Sequence, residues 1–186
     1  MAVVAEIAKV YTRSPDETER LGRAFGRALV AGDLVNLQGQ LGAGKTLFVK
    51  GIAASIGFDP AEVQSPTFTL VHEYRGEKLT LYHLDLYRLD NPAGEIDALG
   101  FEEYLDPQDA IAAVEWGERA PQALPSRRFD VVFDVTDHGR VITFWAQRME
   151  PERVETMRRL LLASAGTTGD LAKGPALDEA DRRRST

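Results

Sequence analysis

Hydrophobic and polar positions change rhythm sharply between Asp33 and Ile56. Asp33-Leu34-Val35-Asn36-Leu37 is a short, mostly apolar run of strand length. Lys45 to Ile56 then reads as a helix, stopped by Gly57 and Pro60. Upstream, Glu6 to Thr12 predicts an edge strand. Ser14-Pro15-Asp16-Glu17 predicts a helix start, with Ser14 as N-cap, Pro15 at the first helical position and Glu17 completing a capping box. That helix is predicted to run to Ala31, with Leu21, Phe25, Ala28 and Leu29 on its buried face and Gly32 closing it.

Downstream the period changes again. Thr67 to Tyr74 and Leu79 to Leu86 read as two strands joined by a turn at Arg75–Lys78, which implies an antiparallel pair. Residues 93–105 predict short helices around Gly100, and Ala110 to Glu115 a buried strand ending in an acid. Phe129 to Val135 alternates as a half-exposed strand should, and Thr136–Gly139 turns it back into Arg140 to Ala146. Pro151 opens a last helix with Val154, Met157 and Leu161 on one face. Strands alternating with helices predict an α/β fold in three layers, a mixed parallel and antiparallel sheet flanked by helices. Residues 1–165 are predicted as a single domain. Residues 166–186, which include Arg182 to Arg184 and lack apolar periodicity, are predicted as a flexible tail.

Composition narrows the classes. At 186 residues and 44% hydrophobic content, the chain can bury one α/β core but not two. Its formal net charge of −7 argues against a broad basic surface for nucleic acid. It has no cysteine, so disulfides, thiolate metal sites and cysteine nucleophiles are excluded. No signal peptide is evident, and no apolar run approaches the ~18 residues of a membrane span. A cytoplasmic protein without a membrane anchor is expected.

The stretch between the Asp33 strand and the Lys45 helix carries the chemistry. Gly39-Gln40-Leu41-Gly42-Ala43-Gly44-Lys45-Thr46 fits G-x-x-x-x-G-K-[ST], the phosphate-binding P-loop, or Walker A motif. Glycines let backbone N–H groups close around phosphate oxygens, and the helix that follows adds its positive end. Lys45 is expected to reach the β- and γ-phosphates, and Thr46 to ligate Mg²⁺. The strand–loop–helix context makes the fold P-loop NTPase-like. Such a site needs an acid at the end of a neighbouring strand. Asp85 and Glu115 are the candidates, one to hold the metal or its water and the other to orient the attacking water. The competing reading makes either one a solvated strand-end acid.

Other polar residues carry weaker signals. His72 and His83 read first as structural histidines. Trp116 is core or packs beside a nucleotide. Ser65 and Thr67 either form a turn or sense the γ-phosphate. Arg88 and Arg140 contact phosphate or base, or form surface ion pairs.

Several blocks together resemble one family. Gly39–Thr46, then Ser65-Pro66-Thr67-Phe68-Thr69-Leu70-Val71, His83-Leu84-Asp85-Leu86-Tyr87-Arg88-Leu89, Gly100-Phe101-Glu102-Glu103-Tyr104 and Val114-Glu115-Trp116 are similar, in order and spacing, to the bacterial TsaE (YjeE) family over about residues 14–146. The resemblance implies an ATP-binding and ATP-hydrolysing accessory subunit for N6-threonylcarbamoyladenosine at adenosine 37 of tRNAs reading codons that begin with A. The partners implied are TsaD and TsaB, with ATP hydrolysis resetting the transferase between turnovers. By position, the loop residues Gly39 to Leu47 and Arg140 would contact ATP; Thr46, Asp85 and Glu115 would serve Mg²⁺; and Lys45, Asp85 and Glu115 would be catalytic. The Ser65–Thr67 loop resembles a switch-like segment, and Ser14–Glu17 would lie near the base. The family often has Asp where this chain has Gln40, and Thr where it has Leu47. Backbone donors make the loop, so Gln40 should be tolerated, whereas Leu47 removes a hydroxyl near the α-phosphate. Direct tRNA contact and self-association stay open.

Two other readings compete. A P-loop kinase for a small molecule would need an arginine-rich lid, and none stands out between residues 90 and 128. A nucleotide-gated interaction protein would bind ATP but hydrolyse little. No N-K-x-D guanine motif occurs.

Overall fold

The computed structural model describes residues 3–166; the predicted tail lies outside the described residues apart from its first position. The elements in order are β1 (Val3–Thr12), α1 (Pro15–Gly26), β2 (Leu34–Gln38), α2 (Lys45–Ser55), β3 (Val71–Arg75), β4 (Thr80–Asp85), α3 (Pro92–Leu99), α4 (Glu102–Leu105), β5 (Ala110–Glu115), β6 (Arg128–Thr136), β7 (Gly139–Met149) and α5 (Pro151–Gly166). Single 3-10 turns occupy Pro60–Glu62, Gly117–Arg119 and Pro121–Ala123.

One seven-stranded sheet organises them, in the order β1-β7-β6-β2-β5-β4-β3. Its centre is parallel: β2 pairs with β5 and β6, and β4 with β5. Both margins are antiparallel, β1 on β7 and β7 on β6 at one side, β3 on β4 at the other. Strand alternation sends neighbouring residues to opposite layers. Val35, Leu37, Leu81, Ile111 and Ala113 join the core under α1, α2 and α5. Leu34, Leu84, Ala112 and Val114 join a smaller core with Ile96 of α3, Leu105 of α4 and Leu124. The expected three layers and mixed sheet are present, and β1 is an edge strand as expected. Among the described residues no helix is long and apolar enough to cross a membrane.

Helix α1 starts as its sequence predicts. The Ser14 hydroxyl accepts from the Glu17 N–H at 3.2 Å, and the Glu17 carboxylate accepts from the Arg13 N–H at 2.7 Å. It ends at Gly26, short of Ala31. The reason is Asp33, whose carboxylate takes the Val30 N–H at 2.9 Å and draws the chain off the helical path. Asp33 is fully buried and also receives Arg153 Nη1 and Nη2 at 2.8 and 2.6 Å. This bidentate pair ties the entry of β2 to the first turn of α5. Asp33→Ala leaves the Arg153 guanidinium unmatched and is expected to cost about 3 kcal/mol. A lower urea midpoint with an unchanged slope would show it.

One strand boundary differs from expectation. Thr67 to Leu70 is a turn, not the start of β3. The Leu70 N–H donates to the Pro66 carbonyl, and Leu70 takes a φ of 67°, outside the extended region. The strand β6 alternates, but its polar Asp130 is buried. Asn36, Arg128 and Gln147 all donate to the Asp130 carboxylate, which satisfies it between two neighbouring strands.

Candidate functional site

The parallel strands β2, β4 and β5 end side by side, at Gln38, Asp85 and Glu115. In register, Glu115 lies opposite Leu37 on one side and Asp85 on the other. This carboxyl edge is where an open α/β sheet places ligands. The loop between β2 and α2 wraps over it. Gly39 has a φ of +145°, and a side chain there would come within 2.7 Å of the Phe133 carbonyl. Gly44 caps α2 with a φ of +105°, a conformation a side chain would strain. The loop thus bends tightly and aims the N-terminus of α2, with its unpaired N–H groups, at the cavity.

A cavity of about 370 Å³ opens there, lined by Leu41 to Leu47 with Ser65, Thr67, Asp85, Tyr87, Glu115 and Trp116. A larger groove of about 560 Å³ runs between α1 and the Gly57–Pro60 turn. It pairs Asp16 and Glu19 with Arg20 and Arg23 and has no phosphate loop, so the smaller cavity is the candidate site.

Lys45 is 4% exposed. Its Nζ donates to the Gly39 carbonyl at 2.7 Å and the Gln40 carbonyl at 3.1 Å, and lies 4.1 Å from the centroid of the Trp116 ring. Burial pushes the Lys45 ammonium below its ordinary pKa, while Glu115, Glu118 and Asp85 pull it back up. Glu118 moves the other way, raised by burial and partly offset by Lys45.

The two acids are held from different sides. Glu115 Oε1 accepts from the Thr46 hydroxyl at 2.8 Å and from His83 Nε2 at 2.9 Å. Asp85 Oδ2 accepts from the Thr67 hydroxyl at 2.5 Å, and Oδ1 from the Tyr87 N–H at 2.9 Å. Ser65 Oγ stands 2.7 Å from Thr67 Oγ1, so the 65–70 turn connects to Asp85 through a chain of hydroxyls. The strand ends are stitched together as well. The Leu86 N–H bonds the Glu115 carbonyl, and Arg119 donates to the Leu86 and Tyr87 carbonyls.

The structure therefore brings Lys45, Thr46, Asp85 and Glu115 to one cavity, with Gly39 and Gln40 on its rim through their bonds to Lys45. Arg140 does not line it. Its Nε donates to the Ala43 carbonyl at 2.7 Å, so it braces the loop from outside. In β-register it lies opposite Thr12, which places the start of α1 on that flank of the loop.

Sequence reasoning set His83 aside as structural and did not single out Tyr87. One signal was available for His83: it is two residues from Asp85 on a strand, hence on the same face. Tyr87 packs on Trp116 with ring centroids 5.0 Å apart, a tertiary contact with no local signature.

The donors suit Mg²⁺. Among the described residues no group of three His, Cys, Asp or Glu side chains forms a metal cage. A P-loop does not need one. Hydroxyl and carboxylate oxygens are hard donors, and Mg²⁺ commonly takes one or two of them together with substrate phosphates and water. The Thr46 hydroxyl donates its hydrogen bond to Glu115, which leaves its oxygen lone pairs open to a cation.

A comparison with known proteins follows the same residues. The family model described as "Threonylcarbamoyl adenosine biosynthesis protein TsaE" matches residues 12–142, a span that holds the whole cluster. The chain belongs to the TsaE family. The tRNA threonylcarbamoyladenosine biosynthesis protein TsaE of Bacillus subtilis is 39% identical over 139 residues, 74% of this chain and 85% of that protein. The TsaE of Treponema pallidum is 43% identical over 136 residues, 73% of this chain and 98% of that protein. The TsaE of Synechocystis is 47% identical over 113 residues, 59% and 69% of the two chains. Among solved structures, Bacillus subtilis YdiB superposes with a TM-score of 0.64 at 32% identity, covering 88% of this chain and 97% of that one. The TsaE match ends inside β7, so the Asp33–Arg153 pair, whose Arg153 sits on α5, reaches beyond it.

Proposed function

We propose that this chain binds ATP with Mg²⁺ and hydrolyses it as an accessory subunit in forming N6-threonylcarbamoyladenosine at adenosine 37 of tRNAs, acting with TsaD and TsaB in the cytoplasm. The observation that carries the catalytic part is the bond from Thr46 on the P-loop to Glu115 on β5, with Asp85 opposite Glu115 in register. The names of the TsaE relatives support the pathway.

In this reading the loop N–H groups and Lys45 bind the phosphates, and Thr46, Asp85 and Glu115 hold Mg²⁺. Bound there, the ion neutralises charge on the β- and γ-phosphates. Glu115 orients the attacking water, and Asp85, linked to Thr67 and Ser65, ties the 65–70 turn to the nucleotide. Arg140 and the Ser14–Glu17 edge stand on the base side of the loop. No lysine or arginine occurs between Arg88 and Arg119, so the layer formed by α3 and α4 lacks the cationic lid of a small-molecule kinase.

The test is repeated turnover. With TsaD, TsaB, tRNA and the threonylcarbamoyl donor, adding this chain and ATP should raise modified tRNA well above one round per complex. Output that ignores this chain, or phosphate transfer from ATP to a small acceptor, would overturn the assignment.

A further inference from the structure

We propose that His83 is a positioning residue for Glu115: its Nε2–H locks Oε1 and leaves Oε2 as the working oxygen of the site. The proposal rests on the ATPase reading above and names how its water-orienting carboxylate is aimed.

Three observations carry it. First, His83 is fully buried on β4, and its Nε2 lies 2.9 Å from Glu115 Oε1. Second, Thr46 Oγ1 reaches the same Oε1 at 2.8 Å. Two donors from two elements converge on one carboxylate oxygen, while Oε2 has no hydrogen bond among the described residues and Glu115 lines the cavity. Third, His83 Nδ1 is buried with no partner. A buried N–H without an acceptor is costly, so the ring N–H is assigned to Nε2, where it points at Glu115.

The physical consequence concerns freedom. A glutamate side chain has three torsions, and one hydrogen bond would let the carboxylate swing. Donors from α2 and β4 hold it from two directions, which fixes Oε2 in one orientation. Thr46 alone cannot do this once its lone pairs are engaged by a cation, because its hydroxyl then moves with that cation. His83, anchored in the sheet beside the Tyr74 ring at 6.2 Å between centroids, is the fixed reference. Supporting partners of this kind typically matter about 10- to 100-fold in activity.

A histidine that merely fills core space would behave differently on substitution. Glutamine can place an N–H donor near the position of Nε2; leucine fills the space without a donor; asparagine keeps polarity but is too short to reach. ATP turnover is measured in the complex with TsaD and TsaB, and ATP affinity by calorimetry. His83→Leu and His83→Asn should each lower kcat about tenfold or more while ATP affinity stays within about threefold. His83→Gln should recover most of kcat. In a Glu115→Gln background, His83→Leu should add no further loss in kcat, because the carboxylate it aims is gone. Equal losses in the Gln and Asn variants, no loss in either, or a full further loss in the Glu115→Gln background would overturn the positioning role. If His83→Leu does not fold, the Gln and Asn pair decides alone. Absence of ATP turnover by the wild-type complex would instead overturn the ATPase reading, and this role with it.

Discussion

Lys45→Ala is expected to weaken ATP binding at least about a hundredfold, roughly 2.8 kcal/mol, measured by calorimetry with Mg²⁺ present. The size follows from where the ammonium sits. It is buried, its pKa is pulled down by desolvation, and its hydrogen bonds go to the carbonyls of Gly39 and Gln40 on the phosphate loop itself. A cation already stripped of most of its water interacts more strongly with a polyphosphate than an exposed lysine would. Alanine removes that charge and also the side chain that spans the loop. The fold should survive, because the core under α2 is built from Phe48, Val49 and Ile52, which the change does not touch. Unchanged affinity in a folded variant would end the P-loop assignment.

Glu115→Gln should separate chemistry from binding. The amide keeps the shape and an oxygen able to accept from Thr46 and His83, but it is a far weaker base. Hydrolysis in the assembled complex is expected to fall about a hundredfold or more, while ATP affinity falls only a few-fold. Equal losses in both would remove the water-orienting role and leave Glu115 a purely metal-binding or structural one. Asp85 offers the contrast, since its carboxylate is engaged by Thr67 and the Tyr87 N–H.

The sequence made the phosphate loop and both acids legible because each follows from local pattern: glycines at fixed spacing, and apolar strands ending in a carboxylate. It also marked where helices begin and end, since Pro15, Pro92 and Pro151 mark three starts and Gly100 one end. What it missed depends on long-range contacts. The early end of α1 comes from Asp33, which binds Arg153 in the last helix. The turn at Thr67–Leu70 replaces a strand because Thr67 bonds Asp85, eighteen positions on. The role of His83 appears only when β4 and β5 lie in register, which puts its ring against a glutamate thirty-two positions away. The bond from Arg140 Nε to the Ala43 carbonyl, ninety-seven positions apart, has no local signature either.

On the proposed ATPase reading, the site is short of one kind of group. Lys45 is the only cation lining the cavity among the described residues, and no arginine reaches in to balance charge at the γ-phosphate. Arg119 Nη1 and Arg140 Nε donate to backbone carbonyls. Groups supplied in trans are worth orders of magnitude in such enzymes.

The decisive measurement is therefore ATP turnover by the purified chain, alone and with TsaD, TsaB and tRNA. The expected result is slow hydrolysis by the chain alone and at least about tenfold stimulation by the assembled complex, lost in Glu115→Gln. Rapid turnover without partners, or a complex that leaves the rate unchanged, would contradict the account.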